Sequence, residues 1–250
     1  MDKAQQPGPV QNIYDNAEFF EGYSQMRRSV EGLAGTAEWP RLCVLLPGLR
    51  GRRVLDLGCG FGWFCRWAAE EGAAQVVGID ASENMLARAR SMSIGAVVTY
   101  QCADMETVEL PEGAFDLVYS SLALHYVEDF AGLVAKVHRT LKAEGHFVFS
   151  IEHPIYMAAE HPDWIVDAKG SRVWPVNHYF MEGSRVTDWL TKGVVKQHRT
   201  VGTTLNALIG QGFRLTHVEE WQPTAEQIQK WPDSMENCER PIFLLIAARR

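Results

Sequence analysis

In the stretch VLDLGCGFGW, Val54 to Trp63, an apolar run carries Asp56, and three glycines follow at every second position: Gly58, Gly60 and Gly62. Glycine adopts backbone angles closed to other residues and lets a ligand lie directly on the main chain. The apolar run reads as a strand and the residues from Trp63 as a helix. A glycine turn at such a junction is where doubly wound sheets bind ligands. The spacing is D-x-G-x-G-x-G. A dinucleotide fingerprint, G-x-G-x-x-G, would place its third glycine where Trp63 stands, so these residues do not point to a pyrophosphate cradle. A second acid, Asp80, closes the run QVVGID about 20 residues downstream, where a carboxylate can accept both hydroxyl hydrogen bonds of a ribose. The alternative for Asp80 is a strand-end cap.

The elements that must position these residues alternate. RRVLDL, QVVGID, AVVTYQCAD, FDLVYSS and HFVFSIEH are short and almost continuously apolar, as expected of parallel strands covered on both faces. Between them lie helical patterns. Phe64, Trp67 and Ala68 form one stripe, with Gly72 as its stop. Ser82 is placed to cap ENMLARARSM. Phe130, Leu133, Val134, Val137 and Leu141 form another stripe, ending before Gly145. This alternation predicts an α/β fold with a doubly wound, mostly parallel sheet. The segment NAEFFEGYSQMRRSVEGLAG reads as helical. From Pro154 to about Thr200 the rhythm breaks into an aromatic stretch too long for a passive loop, which predicts an inserted cap of short strands and turns. A helix at TTLNALIGQGF and strands at RLTHVEEWQ and PIFLLIAARR resume the pattern.

Composition narrows the function classes. No apolar run reaches the roughly 18 residues of a membrane helix. The polar opening MDKAQQPGPVQN lacks a signal-peptide core, which predicts a frayed N-terminus and a cytoplasmic protein. The five cysteines form no CxxC pair, so neither a disulfide framework nor a metal site is expected. The formal net charge of −7 disfavours nucleic acid as a partner. Residues Lys169 to Arg199 run against that balance, with six basic and two acidic residues. They form either a solvated face or a docking place for an anionic group.

Asp56, the glycines, Asp80, "CADM" and "FDLVYSSLALHYVED" together resemble the motifs of class I S-adenosylmethionine-dependent methyltransferases, small-molecule type. The resemblance covers residues 12–152 well and the C-terminal strands loosely. It implies a Rossmann-like, seven-stranded sheet with its last strand antiparallel, forming one domain over 1–250. An N-terminal helical lid over about 12–35 and a substrate cap over about 154–200 complete the expected organisation. It implies S-adenosylmethionine as cofactor and S-adenosylhomocysteine as product. Asp56 and the glycines would hold the amino-acid end, Asp80 the ribose, Asp104 the adenine amino group and Met105 the ring. For Asp104 the alternative is a turn residue. Tyr14, Tyr23 and Arg28 fall in a helix resembling the one that closes over the cofactor. Cys59, Ala81, Met85 and Ser120, beside these motif positions, are assigned to the same site.

Methyl transfer from a sulfonium is a direct displacement, so the acceptor atom must be aligned, water excluded and sometimes a proton removed. The Asn-Pro-Pro-Tyr-like motif of planar-nitrogen methylases is replaced here by Ser120, Ser121, Leu122 and Ala123, and no metal-ligand cluster stands out. O-, N- or C-methylation of a small molecule remains. His125, just after the fourth strand, is the first candidate general base and His153 the second; the alternative for His125 is a packing or capping role. Trp174, His178, Tyr179 and Arg199 are candidate acceptor-binding residues. Arg199 suits a carboxylate or phosphate. An aromatic cage for a cationic amine is the rival use of the same cap. RNA or protein methylation and a non-catalytic cofactor-binding subunit are the competing readings. The sequence leaves the oligomeric state open.

Overall fold

The computed structural model describes residues 11–160 and 162–250. The expectation of a frayed N-terminus falls mainly on residues 1–10, outside the described residues. The chain begins with α1 (Ala17–Ser24), α2 (Arg27–Val30) and α3 (Trp39–Leu45). Asn16 caps α1 by accepting the Phe19 N–H. The alternation then runs β1 (Arg53–Leu57), α4 (Trp63–Glu70), β2 (Gln75–Asp80), α5 (Glu83–Met92), β3 (Val98–Cys102), β4 (Phe115–Ser121), α6 (Phe130–Thr140) and β5 (Leu141–Glu152). Ser82 caps α5, as its position predicts, by accepting the Met85 N–H.

The aromatic segment contains the short helix α7 (Pro154–Ala158) and two hairpins. One is β6 (Ile165–Val166) with β7 (Arg172–Val173); the other is β8 (Gly183–Trp189) with β9 (Thr191–His198). Strands and turns were expected there; α7 is an addition. It is started by Pro154 and capped by His153. The chain closes with α8 (Val201–Gly210), β10 (Arg214–Glu220), α9 (Ala225–Lys230) and β11 (Phe243–Arg249).

Seven strands form one sheet in the order β10-β11-β5-β4-β1-β2-β3. β11 pairs antiparallel with both neighbours, and the inner pairs are parallel. Neighbouring residues of one strand feed opposite faces. Leu55, Leu57, Val118, Phe147 and Phe149 pack towards α6 and α8, whereas Val54, Leu117, Tyr119 and Val148 pack with Leu42, Phe64 and Cys65. Two-sided burial explains why these strands read as continuous apolar runs. The chain leaves β1 outward through β2 to β3, then returns to β4 on the other side of β1. That switch opens a crevice at the carboxyl ends of β1 and β4.

Candidate active site

Two cavities meet at this crevice. The first is lined by the carboxyl ends of β1 and β2, the loop after β3 and the loop after β4, with the N-terminal segment across them. Gly58, Gly60, Asp80, Ala81, Met85, Asp104, Met105, Tyr14 and Tyr23 all line it. A side pocket off the glycine turn adds Arg28, Asp56 and Cys59. Asp80 Oδ2 accepts the Gly60 N–H at 2.8 Å and Oδ1 accepts the Ser82 N–H at 2.9 Å. Each oxygen keeps a lone pair for a further donor. Burial pushes the Asp80 carboxyl up to about 6, with those two N–H groups pulling it down. Burial likewise pushes Asp56 up to about 7, against the Cys65 thiol that donates to it at 3.3 Å.

The three glycines have different reasons. All have positive φ, between 52° and 74°. A Cβ on Gly58 would lie 2.3 Å from the Cβ of Ala123, and one on Gly62 would lie 2.2 Å from the Tyr100 hydroxyl. Protein atoms therefore crowd both. Gly60 has nothing closer than Met85 Cε at 3.6 Å, so its missing side chain leaves the cavity free. Gly62 lines neither cavity; it starts α4 in the left-handed conformation.

The second cavity holds about 730 Å³. It meets the first along Tyr14, Tyr23, Ser121, Leu122 and Tyr126, which line both. Its walls are rich in aromatic side chains, Tyr156, Trp189, Trp221 and Trp231 among them. His125 and Glu152 also line it. Part of the wall comes from residues 231–240, between α9 and β11, which the sequence reading did not assign to a site. Arg28 donates to Glu38 at 2.9 Å and to Ser121 at 3.3 Å, and Ser121 also donates to Glu38 at 3.2 Å. Glu38 is 1% exposed, and its signal in the sequence was only an acid before a helix.

Several expected residues lie elsewhere. Ser120 is fully buried and donates to the Leu57 carbonyl at 2.7 Å; its neighbour Ser121 faces the cavities. His153 is fully buried, with Nδ1 accepting the Ile155 N–H and Nε2 on Glu220, so its ring is spent on the fold. Trp174 donates to the Ile155 carbonyl and packs on Tyr156 and Arg240. Tyr179 accepts the Val201 N–H with its hydroxyl. His178 lines a groove under β8 and β9 that meets the second cavity along Glu152, Tyr156 and Trp189. Arg199 lies over the Phe130 ring, with its nitrogens 3.5 Å from the Leu124 and Glu128 carbonyls. None of Trp174, Tyr179 and Arg199 lines the second cavity. No group of three or more metal-ligating side chains occurs among the described residues. No helix among them is long and apolar enough to cross a membrane.

Residues 55–149 match the family model for a methyltransferase domain. The chain is 59% identical to an S-adenosylmethionine-dependent methyltransferase of Mesorhizobium loti. The two structures superpose with a TM-score of 0.85 over 88% of this chain and 100% of the other. The chain belongs to the S-adenosylmethionine-dependent methyltransferases. This methyltransferase is also 35% identical over 248 residues, 96% of its own length and 97% of the other's, to an uncharacterised protein of Haemophilus influenzae. Over 141 residues it is 33% identical to phosphoethanolamine N-methyltransferase 1 of Arabidopsis thaliana, spanning 55% of this chain but only 28% of that protein. Its cofactor is S-adenosylmethionine. The first cavity fits that molecule chemically: a carboxylate with free lone pairs for a diol, apolar walls at Ala81, Met85 and Met105, and an open backbone at Gly60.

Proposed function

We propose that this methyltransferase modifies a small molecule with a flat, apolar body, bound in the second cavity. The observation that carries the reading is the junction itself. An aromatic cavity of about 730 Å³ meets the cofactor cavity along Tyr14, Tyr23, Ser121, Leu122 and Tyr126. That volume suits a metabolite rather than a macromolecular surface. The resemblance to part of a phosphoethanolamine N-methyltransferase agrees with a small acceptor, without naming it.

In this reading Asp80 accepts the ribose hydroxyls. Asp104 and Met105 take the adenine. Asp56, Arg28 and the turn at Gly58–Gly60 surround the amino-acid end. Bound S-adenosylmethionine supplies an electrophilic methyl group on a sulfonium centre. The chain's part is to align the acceptor and exclude water. Tyr14 and Tyr23 come from the N-terminal segment and Trp189 from the inserted segment, so lid and cap close the site together. The acidic balance of the chain argues against RNA as acceptor.

The test is incubation of the protein and a metabolite extract with cofactor carrying a deuterated methyl group, read by mass spectrometry. A labelled small molecule is expected. Label found only in RNA or protein, or in nothing although the protein binds S-adenosylhomocysteine, would overturn the reading.

A further inference from the structure

His125 stands at the centre of the short turn Leu124–Tyr126 that follows β4, and only 4% of it is exposed. The backbone N–H of Glu152, at the end of β5, donates to its Nδ1 at 3.3 Å. A donor pointing at Nδ1 settles the ring's tautomer. Nδ1 carries the lone pair and Nε2 carries the hydrogen. Nε2 has no hydrogen-bond partner among the described residues, and His125 lines the cavity assigned to the acceptor. The buried ring thus presents one unpaired N–H to that cavity. The other tautomer would set Nδ1–H against the Glu152 N–H, donor facing donor, with no acceptor for either.

The surroundings favour the same arrangement. Burial first, then the nearby Lys196, Arg199 and Arg28, hold the imidazole well below its usual range, so it stays neutral. The carboxylates on the cavity wall are already engaged by cations. Lys196 holds Glu152 at 2.5 Å, Arg27 holds Asp233 at 3.0 Å, and Arg172 and Arg240 hold Glu236 at 3.4 and 3.2 Å; only the exposed Glu239 has no such partner among the described residues. The wall therefore offers neither a free imidazole lone pair nor a buried carboxylate without a cation.

We propose that His125 is a hydrogen-bond donor to the acceptor and not its base. Its Nε2–H reads an anionic oxygen, a carboxylate or phosphate-ester oxygen, on an aromatic body. This rests on the second cavity being the acceptor site. A carboxylate or phosphate-ester oxygen is already ionised at neutral pH, so the site has no proton to remove from it. Arg199, which the cap's basic run suggested, is replaced as the anion-reading residue by a neutral donor next to the junction with the cofactor cavity.

The test uses the full chain saturated with S-adenosylhomocysteine and labelled with ¹⁵N-histidine. The His125 nitrogens, identified by their loss in His125→Gln, should show a protonated Nε2 and a bare Nδ1, unchanged between about pH 5.5 and 8.5. The Nε2–H signal should shift on adding benzoate or phenyl phosphate, and not on adding benzylamine. By calorimetry, His125→Ala should weaken benzoate about tenfold or more, whereas His125→Gln, whose amide keeps an N–H, should stay within about threefold of wild type. Both should bind S-adenosylhomocysteine as wild type does. A protonated Nδ1, titration of His125 between about pH 6 and 8, or benzylamine binding in preference to benzoate would overturn the proposal. The two readings fail separately. Labelled methyl in no small molecule, with benzoate bound as described, removes the function and leaves the donor. A methylated acceptor without an anionic oxygen, whose KM is unmoved by His125→Ala, removes the donor and leaves the function.

Discussion

The hydroxyls of Tyr14 and Tyr126 lie 3.2 Å apart, joining the N-terminal segment to the turn after β4 directly over the junction of the two cavities. Tyr14 also packs edge-on against Phe19 and Tyr23, and Phe19 packs against Trp189 of β8. The hydrogen bond and these ring contacts thus join the N-terminal segment, the inserted segment and the turn after β4. A net hydrogen bond is worth about 1 kcal/mol, roughly fivefold in affinity. Tyr14→Phe and Tyr126→Phe should each weaken S-adenosylhomocysteine by about that factor, and the double variant should be no worse than the weaker single one. Calorimetry on the four proteins reads the coupling. Additive losses would mean that the two hydroxyls act independently.

The unequal roles of the glycines predict unequal damage. Gly58→Ala forces a Cβ against Ala123 at 2.3 Å in a left-handed backbone. It should lower stability by about 2–3 kcal/mol, and Ala123→Gly should restore part of that, because it removes the atom that is struck. Gly60→Ala meets nothing closer than 3.6 Å. It should cost only about 1 kcal/mol of backbone strain while weakening the cofactor far more, since the new methyl enters its cavity. Thermal melts with and without S-adenosylhomocysteine separate the two effects.

These distinctions mark the limit of what the sequence discloses. The strand–helix alternation, the glycine turn, the place of Asp80 at the end of β2 and the Ser82 cap were all legible, because each leaves a local signal. Ser120 against Ser121, and His153 against Glu152, were not. In each pair one neighbour meets the cavity and the other is consumed by the fold. Adjacent strand residues point to opposite sides, but a strand buried on both faces has no polar–apolar alternation from which to read that phase. Residues 231–240 were missed for the opposite reason. They form a polar stretch in a short 3-10 turn, with no periodicity to announce that Trp231 and Arg240 would face a cavity. Arg199 carried the right chemistry but is turned onto backbone carbonyls, which only the tertiary structure reveals.

Two raised carboxyls give pH a double effect. Burial lifts Asp56 to about 7 and Asp80 to about 6, both from near 3.8. The folded chain therefore binds more protons than the unfolded one between about pH 4 and 7, and stability from these groups falls as pH rises through that window. With the ribose on Asp80 as proposed, cofactor binding should move the other way, because an ionised carboxylate accepts hydroxyl hydrogen bonds best. Without cofactor the melting temperature should decline from about pH 5 to 8, while S-adenosylhomocysteine affinity rises across about pH 6. Asp56→Asn should flatten the first trend and leave the second. If both trends survive in Asp56→Asn and vanish together in Asp80→Asn, Asp56 is not the group responsible.

Lys196 of β9 and Glu152 of β5 form an ion pair at 2.5 Å, with Lys196 only 4% exposed and its ammonium 4.7 Å from the centre of the Trp189 ring. This pair joins the inserted segment to the main sheet at the wall of the second cavity. Breaking a buried pair from one side strands the other charge, which costs about 3–5 kcal/mol, whereas replacing both partners with neutral groups is close to neutral. Lys196→Met should therefore destabilise the fold by about 3 kcal/mol or more, and Glu152→Gln by a similar amount. The double variant should recover most of the loss, since no charge is left without a partner. Denaturant unfolding of the four proteins measures it. A double variant as unstable as the sum of the singles would show that each side chain is needed for its packing, with no net contribution from the pair.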